Sequence, residues 1–369
     1  MNQKYPKTPL LFIALFGFIL VAASCSKSNS GGGGTVTTPA TPIATLGLYE
    51  YQSGLNKRIF MPIAGIGTET VSYVSVFDTG STGMTIDANG ILPASMITTS
   101  GITVTGDSVV VNGITVTSKT STIVYGDATS STTEYGNLAY ATVTLGDPSS
   151  TQITTKRIPF FMYYKIVDQT GKQLTAHSAD VFGVGSGVSY TNSTIASPLS
   201  YFTTTNGGIS GFKLATMNSL YFNGNGTLVP GLLTIGLIPS DLTTAGFVLH
   251  PLTYFTVGGY SDDIPATITY NGTVVSSAQI LFDTGTPSIT EIEDPKATGV
   301  GPLAPSSIVS ITTNKGFTFQ YIVGNSGNLT SIQNPNISGD TRTIFSLDFF
   351  VSNEYMVDYK DHEVGLKNN

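Results

Sequence analysis

Tryptophan is absent from this sequence, and cysteine occurs once, at Cys25. A single cysteine excludes any intramolecular disulfide, so an exported domain of this size must be held together by its core. Histidine is nearly as scarce. His177, His250 and His362 lie far apart, which does not supply the closely spaced ligands of a structural zinc site. No metal and no cofactor is expected. Charge is thin too: 11% of residues are charged, against about 25% in an average soluble domain, so Ser, Thr, Asn and Gly must cover most of the surface. The formal net charge of −7, without a basic cluster, argues against a nucleic-acid partner. There is no G-x-S-x-G nucleophile elbow, and Ser81 has no histidine near it in sequence, which disfavours a serine hydrolase. What is present is 40% hydrophobic content, with 18 Tyr and 19 Phe. That is too apolar for a disordered chain, and 369 residues fit about two domains.

The N-terminus reads as a leader. Lys4 and Lys7 precede an apolar run from Leu10 to Ala23, too short to span a bilayer comfortably but suited to a secretory segment. It ends Val21-Ala22-Ala23-Ser24-Cys25, which resembles a bacterial lipobox. Residues 1–24 are therefore expected to be a lipoprotein signal peptide, with Cys25 lipidated and attached to a membrane of the bacterial cell envelope. Ser26 after the cysteine points to the outer membrane under the sorting rule of some Gram-negative bacteria. Residues 25–44 contain Gly31-Gly32-Gly33-Gly34 and then Thr, Pro and Ala; they cannot bury a core and form a tether.

From about residue 45 the pattern is β. Val71-Ser72-Tyr73-Val74-Ser75-Val76 is β-branched and aromatic, and the runs at 102–105 and 114–117 alternate with period two. Asn112-Gly113 and Asn271-Gly272 interrupt such runs, as hairpin turns do. Long amphipathic helical patterns are scarce, so an all-β fold is expected.

The most informative feature occurs twice. Phe77-Asp78-Thr79-Gly80-Ser81 follows one apolar strand, and Phe282-Asp283-Thr284-Gly285-Thr286 follows another. A lone Asp-Thr-Gly is an acidic turn; two copies behind matching strands, one in each half, point to chemistry. Hydrolysing a peptide without metal or covalent intermediate needs an activated water and a proton for the leaving nitrogen. Two carboxyls sharing one proton provide both, because at close range they do not both ionise. Asp78 and Asp283 are the candidate catalytic pair. Gly80 and Gly285 would allow tight turns and close approach, Thr79 and Thr284 would bond across the junction, and Ser81 and Thr286 would hydrogen-bond the outer carboxylate oxygens.

These motifs resemble those of the pepsin family of aspartic peptidases, and the resemblance covers roughly residues 45 to 367. It implies a bilobal acid-protease fold: two β-barrel-like lobes, 45–240 and 241–369, with a cleft between them that takes a peptide or protein substrate. Ile123-Val124-Tyr125-Gly126, with Gly136 to Val143 as a return strand, is placed like the family's flap, which makes Tyr125 the flap candidate. Asp180-Val181-Phe182-Gly183 matches the apolar-apolar-Gly segment that threads past the first Asp loop, and residues 356–366 look like the family's closing hairpin. Departures are Thr85 where the family often has a tryptophan supporting the flap tyrosine, Ser346 or Leu347 where the second lobe should have glycine, Pro287 after Thr286, and a short segment from Asp283 to the C-terminus. The expected function is a monomeric, lipid-anchored aspartic endopeptidase. The alternatives are a catalytically silent pepsin-like lipoprotein that binds peptide or a partner protein, and an unrelated β-sandwich in which both motifs are turns. Asp262-Asp263 is expected to be a solvated turn.

Overall fold

Strands account for most of the chain because β-branched and aromatic residues recur at alternate positions with Gly and Asn between them. At Asn271-Gly272, φ is 46° and 85°; this left-handed pair closes a two-residue hairpin in which Tyr270 opposes Thr273. Asn112-Gly113 does the same between Val111 and Ile114. The computed structural model describes residues 39–126 and 131–369. The expected signal peptide, Cys25 and all of the tether before residue 39 lie outside the described residues, as do residues 127–130. Among the described residues no helix is long and apolar enough to cross a membrane.

Two large sheets organise the body. An eight-stranded sheet runs from Ile264–Tyr270 to Arg342–Phe345 in sequence, and a sixteen-stranded sheet takes most of the remaining strands. The last strands return to the larger sheet. Asn353–Asp358 pairs with Ile209–Leu214, and Glu363–Asn368 pairs with both Asn353–Asp358 and Val248–Pro251. Three strands from the C-terminal side of residue 240 thus share a sheet with the first half. The closing hairpin stands where the sequence placed it, with Met356 opposite Gly365 and Val357 opposite Val364.

Each Asp motif ends a strand inside one of these sheets. Glu69–Asp78 pairs antiparallel with Asn56–Ile66 and parallel with Val181–Val184, which puts Gly183 beside Asp78. Val181–Val184 also pairs antiparallel with Thr82–Asp87, Gly183 facing Gly83. The first Asp loop therefore joins two strands that both pair with Val181–Val184. A side chain at position 183 would press against the Gly83 carbonyl and the Ser81 hydroxyl, each 2.8 Å from its Cβ, so only glycine fits.

In the second lobe Thr273–Phe282 pairs parallel with Arg342–Phe345, Phe282 beside Phe345. That register puts Ser346, not Leu347, at the position matching Gly183. Ser346 is fully buried, its amide bonds the Thr290 hydroxyl at 3.2 Å, and its own hydroxyl lies 3.4 Å from the same oxygen. Thr290 thus absorbs the additional hydroxyl. Leu347 is a core residue that starts a short 3-10 helix, its amide bonded to the Thr286 carbonyl at 3.0 Å.

The two halves are also joined by charge. Lys57, at the start of Asn56–Ile66, forms a buried ion pair with Asp348, which accepts a further bond from the Asn328 amide at 2.6 Å. The Lys57 amide donates to the Pro287 carbonyl at 3.1 Å, next to the second Asp loop. Removing one partner leaves a buried charge uncompensated, which typically costs about 3–5 kcal/mol. Lys57→Met or Asp348→Asn should each destabilise the body by an amount of that order in urea unfolding. Replacing both with apolar residues should cost less than either alone.

Candidate active site

The two Asp loops meet through their threonines. The Thr79 hydroxyl donates to the Phe282 carbonyl at 2.7 Å, and the Thr284 hydroxyl donates to the Phe77 carbonyl at 2.6 Å. Each hydroxyl also accepts the other threonine's backbone amide, both at 3.0 Å. Both threonines are essentially inaccessible to solvent, so these bonds form in a low dielectric, where a satisfied network is rigid and an unsatisfied one is costly.

This lock brings the carboxyls together. Asp78 accepts the Gly80 amide at 2.8 Å on Oδ1 and the Ser81 hydroxyl at 2.6 Å on Oδ2. Asp283 accepts the Gly285 amide at 2.7 Å on Oδ1 and the Thr286 hydroxyl at 2.7 Å on Oδ2. The two sets match bond for bond, with Ser346 standing behind the second loop. The glycines serve approach rather than turning. Neither has a left-handed φ, but a Cβ on Gly80 would lie 2.5 Å from the Asp283 carboxyl carbon, and one on Gly285 would lie 2.6 Å from Asp78 Oδ1. Each carboxyl thus lies against the opposite loop's glycine.

Burial raises the pKa of Asp78 well above the usual carboxylate range, and the charge of Asp283 and a hydrogen bond to it raise it further. Ser81 and Gly80 oppose this by bonding the ionised form. The pair therefore favours holding a proton where an isolated aspartate would be ionised.

Tyr125 ends the strand Ile114–Gly126, which pairs with Ser131–Ala141, Tyr125 opposite Thr132. The return strand thus begins five residues before Gly136. Tyr125 packs against a small cluster built on Ile123, Leu138, Phe161, Tyr163, Ile166 and Ile195. Burial chiefly, then the charges of Glu134 and Asp78, push the pKa of its phenol well up. Thr85, in place of a bulky support, donates at 3.3 Å to Glu134.

The sequence reading missed three charged residues around the site. Arg58 lies on Asn56–Ile66 within the field of both aspartates; burial lowers its pKa, and Asp283 and Asp78 oppose that. Glu134 is fully buried in the middle of a strand. Asp262 is no solvated turn: both its carboxylate oxygens accept the Ser186 amide, at 2.9 and 3.2 Å, and burial raises its pKa to about 7. For Arg58 and Glu134 the available signal was position. In a chain with so few charges, an acid or base inside an otherwise alternating strand calls for a partner.

Asp78 also makes a stability prediction. Its pKa is raised in the fold, so its contribution is favourable below the unfolded value, 3.8 for a free aspartate, and is lost as pH rises through the folded value. Asp78→Asn removes that penalty while keeping an oxygen for the Gly80 amide. Its melting temperature should exceed that of the parent protein near neutral pH, and thermal scans at pH 3 should show the gain gone.

No model of a known protein family matches the chain, and no curated protein matches it in sequence. Its fold does match solved structures. One is the crystal structure of aspartic proteinase from Irpex lacteus, with a TM-score of 0.55 and 17% identity over 88% of this chain and 98% of that chain. The chain has the all-β, bilobal pepsin-like fold.

Proposed function

We propose that this protein is an aspartic endopeptidase in which Asp78 and Asp283 activate a water against a peptide bond. The observation that carries this reading is the near-symmetric pair of carboxyls, each bonded by its own loop's amide and hydroxyl and each lying against the opposite loop's glycine. Such an arrangement has little structural use. It crowds two acids that repel when both are ionised, and it is supported by buried threonines whose bonds serve to hold the loops in register.

With one proton on the pair, the ionised carboxyl takes a proton from water as its oxygen attacks the carbonyl carbon. The protonated carboxyl gives its proton to the carbonyl oxygen. The resulting tetrahedral diol collapses: the C–N bond breaks as the protonated carboxyl gives its proton to the departing nitrogen, and the ionised carboxyl takes the proton of a diol hydroxyl as the carbonyl re-forms, leaving the pair with one proton again. Both carboxyls must reach the same water, and an error of about 1 Å would cost about a hundredfold. The matched bonds to Asp78 and Asp283 support the active reading over the silent one.

The test is turnover of a mixed peptide library by the purified body at several pH values, with and without the aspartic-peptidase inhibitor pepstatin. The parent protein should cleave extended peptides best below neutral pH. Asp78→Asn and Asp283→Asn should each reduce cleavage to background while circular dichroism stays unchanged. Cleavage that survives both changes would rule the reading out.

We further propose that the body is held at the envelope by a lipid on Cys25, since that cysteine follows a secretory-type apolar run and small residues. Fractionation should find the protein with membranes and the Cys25→Ala variant, after leader cleavage, in the soluble fraction.

A further inference from the structure

Asp262 is an acid that water activation by the two aspartates does not use. It lies between the strands Gly259–Ser261 and Ile264–Tyr270, in the second half of the chain. Its carboxylate is nevertheless directed at the first half, where both oxygens accept the Ser186 amide, at 2.9 and 3.2 Å. No ion pair to a cation reaches it among the described residues. Withdrawing an acid from water without a cation is costly, so what this carboxylate holds matters.

Ser186 belongs to the segment 184–188, which continues from Gly183 beside Asp78. On one edge of this segment the Gly185 amide donates to the Ser81 carbonyl at 2.8 Å. On the other edge the Tyr359 hydroxyl donates to the Val184 carbonyl at 2.7 Å, Asp262 takes the Ser186 amide, and the Gly258 carbonyl takes the Val188 amide at 2.9 Å. Residues 184, 186 and 188 thus face the second half and residue 185 faces the first Asp loop, in the alternation of an extended chain. The Asp262 carboxyl also packs on the backbone. A Cβ on Gly185 would lie 2.6 Å from its Oδ2, so only glycine lets the acid come this close. From Gly185 the bonds continue to the Ser81 carbonyl, and the Ser81 hydroxyl bonds Asp78 Oδ2 at 2.6 Å.

The second loop is built in the same way with the halves exchanged. The Leu347 amide donates to the Thr286 carbonyl at 3.0 Å, and the Thr286 hydroxyl bonds Asp283 Oδ2 at 2.7 Å. The residue after Leu347 is Asp348, which is tied by Lys57 from the first half. Behind each aspartate, then, one amide holds the loop carbonyl, and the next residue is tied by a charged side chain of the opposite half. We propose that Asp262 is a positioning residue for Asp78, the counterpart of Lys57 behind Asp283: by holding Ser186 it fixes Gly185 on Ser81 and so keeps the Ser81 hydroxyl on the outer carboxyl oxygen. The consequence for turnover rests on the peptidase reading, but the positioning itself is testable without turnover.

The experiment uses the purified protein labelled with carbon-13 at aspartate Cγ, with Asp78→Asn identifying the Asp78 resonance. Asp262→Asn and Asp262→Ala remove the same charge, and only Asn keeps an oxygen for the Ser186 amide. The Asp78 resonance should titrate at higher pH in Asp262→Ala than in Asp262→Asn, because the Ser81 bond favours the ionised form of Asp78. In a Ser81→Ala background that difference should vanish. On the peptide library Asp262→Ala should lose about tenfold in kcat/KM, the value of one hydrogen bond, and Asp262→Asn should recover most of the loss. Equal titration of Asp78 in the Asn and Ala variants, or a difference that survives Ser81→Ala, overturns the proposal. If no variant cleaves peptides, the peptidase reading fails while the Asp78 resonance still decides the positioning. If the Ala variant does not fold, amide hydrogen exchange on the parent protein decides. Gly185 and Ser186 should open together as one unit, and a Ser186 amide that exchanges well ahead of Gly185 overturns the proposal.

Discussion

The reciprocal bonding of Thr79 and Thr284 is the interaction on which the rest of the structure depends. Two loops 205 residues apart are tied by four short bonds in which each threonine serves both the other loop's backbone and the other threonine. Because the threonines are buried, breaking one bond leaves a polar group without water to replace its partner. The junction is therefore stiff, and its stiffness puts two carboxyls at a separation that charge repulsion alone would not allow. The glycines at 80 and 285 follow from that constraint, since any Cβ there would occupy the space of the opposing aspartate.

The surrounding strands exist to aim the loops. Gly183 on one side and Ser346 on the other run past the Asp strands in parallel register. The two solutions differ in chemistry and agree in geometry: one removes the side chain, the other gives its hydroxyl to Thr290. Substituting a glycine at such a position costs space, and space can be found locally when a single small hydroxyl has a partner within reach. The buried Lys57–Asp348 pair and the Lys57 amide bond to Pro287 add a second tie beside the junction, which limits how far the second loop can move.

Charge is spent sparingly in this chain, and much of it lies inside. Asp78, Glu134, Asp180, Asp87, Asp348 and Asp358 are all buried. Some are held by amides, hydroxyls or a cation, as Asp180 is by Tyr163, His177 and the Asp87 amide. Glu134 has far less: one oxygen lies 3.3 Å from the Thr85 hydroxyl and the other has no hydrogen-bond partner.

The fold class and the catalytic candidates were legible because they rest on local rules. Alternation with Asn-Gly turns gives hairpins through backbone twist, and a duplicated Phe-Asp-Thr-Gly behind apolar strands is a short-range pattern that needs no partner to be noticed. The sequence by itself determined that the chain is β, that two acidic loops match, and that threonine and glycine flank both. Only the tertiary structure decided which residue stands behind Asp283, since Ser346 and Leu347 are one position apart and strand register is set by pairing across the sheet. It also decided that Asp262 is held by a backbone amide and that Arg58 and Glu134 border the site. A charge on a strand looks the same in sequence whether it faces water or the core, and the difference arises only when distant strands close over it.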